Sequence, residues 1–256
     1  MRERATLTRS RSSPKLWERS EDGRPAFFTE AAGTPPVVYG ERTVATPTTT
    51  LRRWEPGRSK LGAALAKGWT DPLPRPGERW LYLGAATGTT ASHVADLVTP
   101  KGAVYAVEKS LRPFARLLRL AEAYPNLLPI LGDARRPELY LGTVPPVDGL
   151  YLDVAQPDQV DIAWANARLY LRGAGALLLV LKTSSMGRGR EPRSHLAHAE
   201  ARLAQGFELV PSLGLDPFHR RHFLVAGSPT RRLFQPEALG AATPPRPPRR
   251  PAGRRS

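Results

Sequence analysis

Residues able to bind a ligand follow several apolar runs of the sequence, and the first of them form a turn at residues 84–90. Gly84, Ala85 and Gly88 leave room for a ligand close to the backbone, and free N–H groups at the start of a following helix bind anionic groups. The glycines are spaced G-x-x-x-G, whereas dinucleotide-binding folds carry G-x-G-x-x-G. The turn therefore predicts a cofactor-binding loop and disfavours a dinucleotide, with an ordinary strand-to-helix turn as the alternative.

Two carboxylates follow the next two apolar runs. Glu108 closes the run at 103–107 and can accept hydrogen bonds from both ribose hydroxyls of a nucleoside cofactor. Asp133 closes the run at 127–131 and is placed to meet an adenine amino group. Either acid alone is more often a helix cap, but the two together, in register with the glycine turn, predict a pocket for a nucleoside.

A carboxylate and an ammonium group end the following two runs. Asp153 follows residues 149–152, and Lys182 follows residues 176–181. At a short distance from each other, they could hold a hydroxyl nucleophile, with Asp153 accepting its proton and Lys182 stabilising the oxyanion. For an isolated pair, a salt bridge between strand ends is the simpler interpretation.

The elements that must position these residues alternate between strands and helices. Such alternation is typical of an α/β fold with a mostly parallel sheet covered on both faces. A dozen residues separate the last two strands, which permits a reversed final strand. The predicted strands are 80–83, 103–107, 127–131, 149–152, 176–181, 207–210 and 222–226, and the predicted helices are 59–67, 92–98, 111–124, 158–171 and 194–205.

The charge distribution divides the chain further. The formal net charge of +15 predicts a polyanionic partner. Residues 1–20 are predicted to be a basic, disordered extension and residues 21–52 a small β-rich subdomain. Residues 53–227 form the main domain, and residues 228–256, with seven Arg and seven Pro, are predicted to be a disordered basic tail.

Several classes of protein and site are excluded by composition. The chain has no Cys, so it has neither disulfides nor a thiolate zinc site, and its five His form no metal-ligand motif, so no metal is expected. The sequence has no signal peptide and no apolar run long enough for a membrane span, which predicts a cytoplasmic protein without a membrane partner.

Five motifs occur in a fixed order along the chain: RSKL at 58–61, YLGAATGTTASHV at 82–94, VYAVE at 104–108, GDAR at 132–135 and DVAQPDQ at 153–159. Together they resemble the fibrillarin family, specifically its archaeal rRNA/tRNA 2'-O-methyltransferases. The resemblance runs from about residue 39 to residue 227.

The resemblance implies a Rossmann-like class I methyltransferase with a seven-stranded sheet whose last strand is antiparallel. It also implies S-adenosyl-L-methionine as the cofactor and methylation of ribose 2'-hydroxyls in rRNA, with tRNA as a further candidate. By this resemblance, Gly84, Ala85, Thr89 and Thr90 contact the cofactor, Glu108 and Lys109 its ribose, and Asp133 and Ala134 its adenine, while Asp153, Val154, Ala155 and Gln156 lie at its methionine end.

The catalytic residues implied by the family are Lys60, Asp153, Lys182 and His222, with His219 as a rival for the fourth position. The partners implied are a box C/D guide RNA, the target RNA, a Nop-family scaffold protein and a ribosomal-type protein that binds kink-turns. Two alternatives stay open: a methyltransferase for a small molecule or protein, which the charge disfavours, and a non-catalytic RNA-binding or assembly subunit with the same fold.

Overall fold

The computed structural model describes residues 6–35, 37–187 and 191–235. The first part of the chain forms a five-stranded antiparallel sheet in the order β1-β2-β3-β5-β4. Its strands are β1 (Thr8–Arg9), β2 (Leu16–Glu21), β3 (Arg24–Glu30), β4 (Thr43–Ala45) and β5 (Thr50–Arg53). The predicted β-rich subdomain is present, but it begins upstream of residue 21.

The prediction of a disordered extension over residues 1–20 is wrong for its described part. Leu16, in β2, is fully buried in the core that also holds the main sheet. The basic residues around it have acidic partners, because Lys15 pairs with Glu30 on β3 and Arg19 pairs with Glu21 on β2 itself. A local excess of Arg and Lys is therefore compatible with a strand once the compensating carboxylates lie beside it in space.

The rest of the chain forms a seven-stranded sheet in the order β11-β12-β10-β9-β6-β7-β8. Strands β8, β7, β6, β9 and β10 are parallel, and β12 is antiparallel to both β10 and β11, as predicted. The strands are β6 (Arg79–Leu83), β7 (Ala103–Glu108), β8 (Leu127–Leu131), β9 (Val147–Leu152), β10 (Leu171–Lys182), β11 (Phe207–Gly214) and β12 (His222–Pro229).

Five α-helices and three short 3₁₀ helices complete the described part of the chain. The α-helices are α1 (Lys60–Ala66), α2 (Thr89–Val98), α3 (Leu111–Ala121), α4 (Gln159–Tyr170) and α5 (Pro192–Leu203). The 3₁₀ helices are Pro137–Tyr140, Thr183–Ser185 and Arg231–Phe234. In the described ranges no helix is long and apolar enough to cross a membrane.

The large sheet separates two apolar cores because alternate residues of a strand face opposite sides. In β6, Trp80 and Tyr82 belong to the core shared with α1, α2 and the small sheet, whereas Leu81 and Leu83 belong to the core shared with α4 and α5. Burial on both faces accounts for the nearly continuous apolar runs of these strands in the sequence.

A buried polar cluster joins the small sheet to α2. The side chain of Arg52 is fully buried and donates to Glu41, to Asp96 and to the hydroxyls of Tyr124 and Ser92. A buried guanidinium is tolerated only when most of its donors are satisfied in this way. The two sheets are therefore connected by a specific charge network as well as by the apolar core.

All three predicted domain boundaries fall inside strands. The boundary after residue 20 lies in β2, the boundary after residue 52 lies in β5, and the boundary after residue 227 lies in β12. Beyond β12, Leu233 is fully buried against α4 and its neighbours, so the ordered core continues past the predicted start of the tail. The part of the predicted tail from residue 236 onward lies outside the described residues.

Candidate active site

The carboxyl ends of the five parallel strands lie along one edge of the large sheet. Because the strand order is β8-β7-β6-β9-β10, this edge carries Asp133, Glu108, Gly84, Asp153 and Lys182 in that order. Ligands of open α/β sheets bind at such an edge. The structure therefore brings together, on a single rim, the residues that the sequence singles out one by one.

The glycine turn after β6 is required by close packing. Gly84 has a φ of 79°, and a Cβ atom there would lie 2.5 Å from the carbonyl oxygen of Asp153. The N–H of Gly84 donates to the carbonyl of Val107, which ties the turn to β7. Gly88, the N-cap of α2, has a φ of 90° and leaves no space for a side chain beside Leu120. Both glycines thus bring the backbone against neighbouring elements.

The two threonines at the start of α2 have different surroundings. Thr89 is half-buried, whereas Thr90 is buried and donates its hydroxyl hydrogen bond to Oγ of Ser59 at 2.9 Å. Ser59 caps α1 by accepting from the N–H of Gly62 at 3.2 Å. The hydrogen bond between the hydroxyls of Ser59 and Thr90 fixes the start of α1 relative to the glycine turn. The first residue of α1 is Lys60, so its position is fixed as well.

Glu108 holds the glycine turn and retains capacity for a ligand. Its Oε2 accepts from the N–H of Ala86 at 3.0 Å and its Oε1 accepts from the N–H of Ser110 at 2.7 Å. A carboxylate offers about four lone-pair sites, so both oxygens can accept a further hydrogen bond. Lys109 is exposed beside it.

The segment after β8 is held by one local hydrogen bond and one hydrogen bond to α4. The Oδ1 of Asp133 accepts from the N–H of Arg135, and the carbonyl of buried Ala134 accepts from the side chain of Asn166. Arg135 in turn makes two hydrogen bonds of 2.7 Å to the carboxylate of Asp158, and these hold the pKa of Asp158 below its usual value. This ion pair connects the predicted adenine and methionine ends of the pocket.

The segment after β9 contains an unsatisfied buried oxygen. Val154 and Gln156 are buried, whereas Ala155 is exposed. Oε1 of Gln156 has no hydrogen-bond partner within the described part of the protein. An acceptor left unpaired in this way is costly, so it is suited to accept from a donor on a ligand.

Asp153 is paired with Lys60 rather than with Lys182. The Nζ of Lys60 lies 2.8 Å from Oδ2 of Asp153, and both side chains are partly accessible, at 28% and 17%. The described residues contain no salt bridge between Asp153 and Lys182, so the alternative of an ion pair between strand ends is not realised there. The ammonium of Lys182 is therefore left without an acidic partner in the described structure.

The position of Lys182 is fixed through its backbone by a residue that sequence reasoning missed. Gln159 is fully buried, and its side chain donates to the carbonyl of Lys182 at 3.2 Å and accepts from its N–H at 2.8 Å. A glutamine near the start of a helix gives no signal of this role in the sequence. It connects α4 to the last residue of β10.

His222 lies next to this group. It pairs with Lys182 across β10 and β12, and its Nδ1 donates to the carbonyl of Arg220 at 2.8 Å. Burial lowers the pKa of His222; Lys60 lowers it further, while the Arg220 carbonyl and Asp153 partly offset the shift. The imidazole is therefore neutral at pH 7, with an unprotonated Nε2.

His219 has a different environment. Its ring is hydrogen-bonded through Nε2 to the carbonyl of Pro56 at 2.9 Å. Its ring centroid lies 6.0 Å from that of His222. The position of His222 opposite Lys182 in the sheet favours it over His219 as the fourth member of the candidate catalytic group.

The sheet order with one reversed strand, the glycine turn and the carboxylates after β7 and β8 define a nucleoside-cofactor-binding α/β fold of the methyltransferase type. Comparison with known proteins identifies the family. The family model "Fibrillarin" matches residues 11–231, and the chain belongs to the fibrillarin family. The match begins well before residue 39, so most of the small sheet is part of the family fold.

Curated relatives agree with this assignment. A fibrillarin-like rRNA/tRNA 2'-O-methyltransferase from Saccharolobus islandicus is 44% identical over 190 residues, which cover 73% of this chain and 82% of the relative. An rRNA 2'-O-methyltransferase fibrillarin from Giardia intestinalis is 44% identical over 196 residues, covering 75% of this chain but only 60% of that longer relative.

Solved structures show the same architecture. Aeropyrum pernix fibrillarin in complex with natively bound S-adenosyl-L-methionine has a TM-score of 0.79 at 40% identity, covering 89% of this chain and all of that one. A fibrillarin/Nop5p complex has a TM-score of 0.73 at 38% identity, covering 80% of this chain and 94% of that chain.

Proposed function

We propose that the chain transfers a methyl group from S-adenosyl-L-methionine to ribose 2'-hydroxyls of rRNA. The observation that carries the proposal is the Lys60–Asp153 ion pair, which lies at the same rim as the glycine turn and next to Lys182 and His222. Family membership supplies the reaction, and this group of residues supplies the means to perform it in this chain. We extend the candidate substrates to tRNA because archaeal relatives are named rRNA/tRNA 2'-O-methyltransferases.

The rim fits the cofactor chemically. Glu108 offers free acceptor sites for ribose hydroxyls, and Asp133 lies beyond it for the adenine. The unpaired Oε1 of Gln156 suits an amino group at the methionine end. The proposed cofactor-binding residues also include neighbours of these groups, namely Ala85, Thr89, Lys109, Val154 and Ala155. The hydroxyl of Thr90 is already bonded to Ser59.

The proposed mechanism requires alignment and loss of one proton. When bound, S-adenosyl-L-methionine supplies a methyl group on a positively charged sulfur. Lys60 engages Oδ2 of Asp153, so Oδ1 remains for the ribose hydroxyl, which Asp153 orients and whose proton it accepts. Lys182 stabilises the negative charge that develops on the ribose oxygen.

His222 completes the group as a neutral base. Because Nδ1 donates to the Arg220 carbonyl, Nε2 presents its lone pair. Its lowered pKa keeps this lone pair free at pH 7, so His222 can take up the proton that leaves through Asp153. Gln159 acts through the backbone of Lys182 and is a positioning residue.

We further propose that the chain works in a particle. Its partners would be a Nop-family scaffold protein, a box C/D guide RNA that selects the target by base pairing, and a kink-turn-binding protein. The support is the solved complex of a family member with Nop5p and the net charge of +15 of this chain. The guide, rather than the enzyme, would then determine which nucleotide is methylated.

The proposal is tested by transfer of a labelled methyl group in a reconstituted particle. Two guide RNAs that direct pairing to different nucleotides of one target strand should each move the label to its own position. A particle that binds cofactor and RNA but labels neither position would contradict the proposed function, and transfer to free small acceptors would indicate the other enzyme class.

A further inference from the structure

The loop between β11 and β12, residues 215–221, ends directly beside the proposed catalytic group. The carbonyl of Arg221 accepts from both the N–H and the hydroxyl of Thr183, at 3.1 and 3.0 Å. The carbonyl of Arg220 accepts from Nδ1 of His222 at 2.8 Å. Two successive backbone groups are thus held in place, while both arginine side chains are exposed.

The other end of the loop is attached to the region around α1. The Nζ of Lys67 donates to the carbonyl of Asp216 at 2.6 Å, and the ring of His219 is bonded to the carbonyl of Pro56 at 2.9 Å. The loop is therefore a fixed bridge between α1 and the end of β10. Side chains displayed from it have a defined position relative to the candidate active site.

Positive charge at this place is unpaired. Within the described residues no carboxylate forms an ion pair with Arg220 or Arg221, and the same holds for Lys182 on the neighbouring strand. Lys60, by contrast, is neutralised by Asp153. The proposed reaction uses Lys60 and Lys182, so Arg220 and Arg221 are additional cations at the site, and their side chains are exposed.

The chemistry of the proposed acceptor explains such an excess. In RNA, the carbon that carries the 2'-hydroxyl is bonded to the carbon that carries the 3'-phosphodiester. An enzyme that holds the hydroxyl therefore always has this phosphate close by. An exposed guanidinium binds phosphate well because its planar donors can make two parallel hydrogen bonds.

We propose that Arg220 and Arg221 bind the phosphate on the 3' side of the target ribose and so align the 2'-hydroxyl with Asp153. This inference rests on the proposed function and adds to it a defined contact with the substrate backbone. Because the carbonyls of the two arginines are already fixed, binding restricts mainly their side chains and not the loop backbone. The contact reads no base, which is compatible with selection of the target by a guide.

The test compares the double variant Arg220→Gln/Arg221→Gln with a control in which one charge is removed elsewhere, Lys101→Gln. Lys101 is exposed just before β7, at the opposite edge of the sheet. The double variant and Lys101→Gln both leave the backbone contacts of the loop in place, so the melting temperature and cofactor affinity of each should match those of the wild type.

In the reconstituted particle, the double variant should raise KM for target RNA about 10–100-fold with a smaller change in kcat, as expected when charged hydrogen bonds to the substrate are removed. For the free chain, the slope of log affinity against log salt should fall by about one for each phosphate that the variant no longer binds. Lys101→Gln should change neither KM nor kcat. A double Lys variant should keep the salt slope but recover only part of KM.

A pair of target strands makes the test specific for the phosphate. Both end at the target nucleotide, one with a 3'-hydroxyl and the other with a 3'-phosphate. The wild type should prefer the 3'-phosphate strand and the double Gln variant should not discriminate. Equal discrimination by both proteins would overturn this inference while leaving the methyltransferase intact, whereas absence of methylation by the wild type would overturn the proposed function and this inference with it.

Discussion

The Nζ of Lys60 lies 2.8 Å from Oδ2 of Asp153, and the preceding residue, Ser59, is hydrogen-bonded to Thr90 at the start of α2. Ser59 caps α1 and accepts from Thr90, so the position of the lysine is set by α2. The proposed catalytic carboxylate is therefore fixed by a residue outside the large sheet. The hydroxyls of Ser59 and Thr90 therefore connect the glycine turn to the Lys60–Asp153 ion pair.

The first prediction concerns cofactor affinity. Glu108→Gln should weaken binding of S-adenosyl-L-methionine by about 1.5–3 kcal/mol, because it removes the charge from hydrogen bonds to the ribose. Turnover at saturating cofactor should fall much less. Isothermal calorimetry measures the affinity, with Glu208→Gln, an exposed position on β11, as the matched control. Unchanged affinity in Glu108→Gln would place the ribose contact elsewhere.

The second prediction concerns pH. The pKa of His222 is lowered, chiefly by burial, so its imidazole binds a proton only below the ordinary value of about 6.5. If neutral His222 takes part, single-turnover rates should be level above pH 6.5 and decline below it. The free energy of unfolding should change in the same direction as the rate. The contribution of His222 to it is present above about pH 6.5 and decreases as pH falls.

The control for this prediction is His222→Asn. Its rate should be lower throughout, and the decline at acidic pH should disappear. Profiles of identical shape for the wild type and His222→Asn would remove His222 from the proposed mechanism. His219→Asn should leave the profile in place, because His219 binds the carbonyl of Pro56 instead.

The third prediction concerns the junction between the sheets. Arg52→Met should reduce the free energy of unfolding by about 3–5 kcal/mol, because it leaves the carboxylates of Glu41 and Asp96 buried without their cation. Burial already raises the pKa of Asp96, so protonation should relieve part of this loss as pH falls. Chemical denaturation at pH 7 and pH 5 measures the difference.

The matched control is Arg24→Met, since Arg24 is exposed at the start of β3. It should change the free energy of unfolding by less than about 0.5 kcal/mol, as is usual at such surface positions. A loss in Arg52→Met no larger than that of Arg24→Met would show that the buried cluster does not hold the two sheets together.

The fourth prediction separates the end of the fold from the basic tail. Truncation before Ser228 should lower the melting temperature, because it removes the pairing of Ser228 with Glu208 and the buried side chain of Leu233. Truncation before residue 236 should leave melting temperature and cofactor affinity unchanged. It removes five Arg against one Glu, so it should weaken binding to free RNA and flatten the salt dependence.

Salt titrations of the full chain and the shorter truncation decide what the tail contributes. Parallel lines with equal intercepts would show that the charge of residues 236–256 does not act on RNA. A melting temperature unchanged by truncation before Ser228 would show that β12 is stable without its last two residues and the 3₁₀ helix that follows.

The parallel strands could be predicted because burial on both faces leaves long apolar runs, and functional residues follow such strands at one edge of the sheet. This is why the position of Glu108, Asp133, Asp153 and Lys182 at one edge of the sheet could be predicted. The reversed last strand could be predicted as well, from the long connection before it. These features depend on the order of residues along single elements.

The features that escaped prediction depend on contacts between elements distant in sequence. Residues 1–20 resembled a charged extension because Glu30, the partner of Lys15, lies on another strand. The ion pair of Asp153 with Lys60 escaped prediction because Lys60 reaches Asp153 from α1, an element distant in the sequence. Gln159 was missed because it acts only through hydrogen bonds to a backbone that the sequence does not locate.

In the proposed function, this chain methylates the 2'-hydroxyl of a ribose by means of Asp153. Alkaline hydrolysis of end-labelled target RNA measures this directly, because cleavage of each phosphodiester requires the free 2'-hydroxyl beside it. After incubation with cofactor and a guide in the reconstituted particle, the wild type should leave one gap in the ladder, at the guided nucleotide. The Asp153→Asn particle should show that gap only after about 10²–10⁴ times longer incubation, with cofactor affinity and melting temperature retained. A complete ladder with the wild type would contradict the proposed function, and equal rates for the two proteins would exclude Asp153 as the group that performs the reaction.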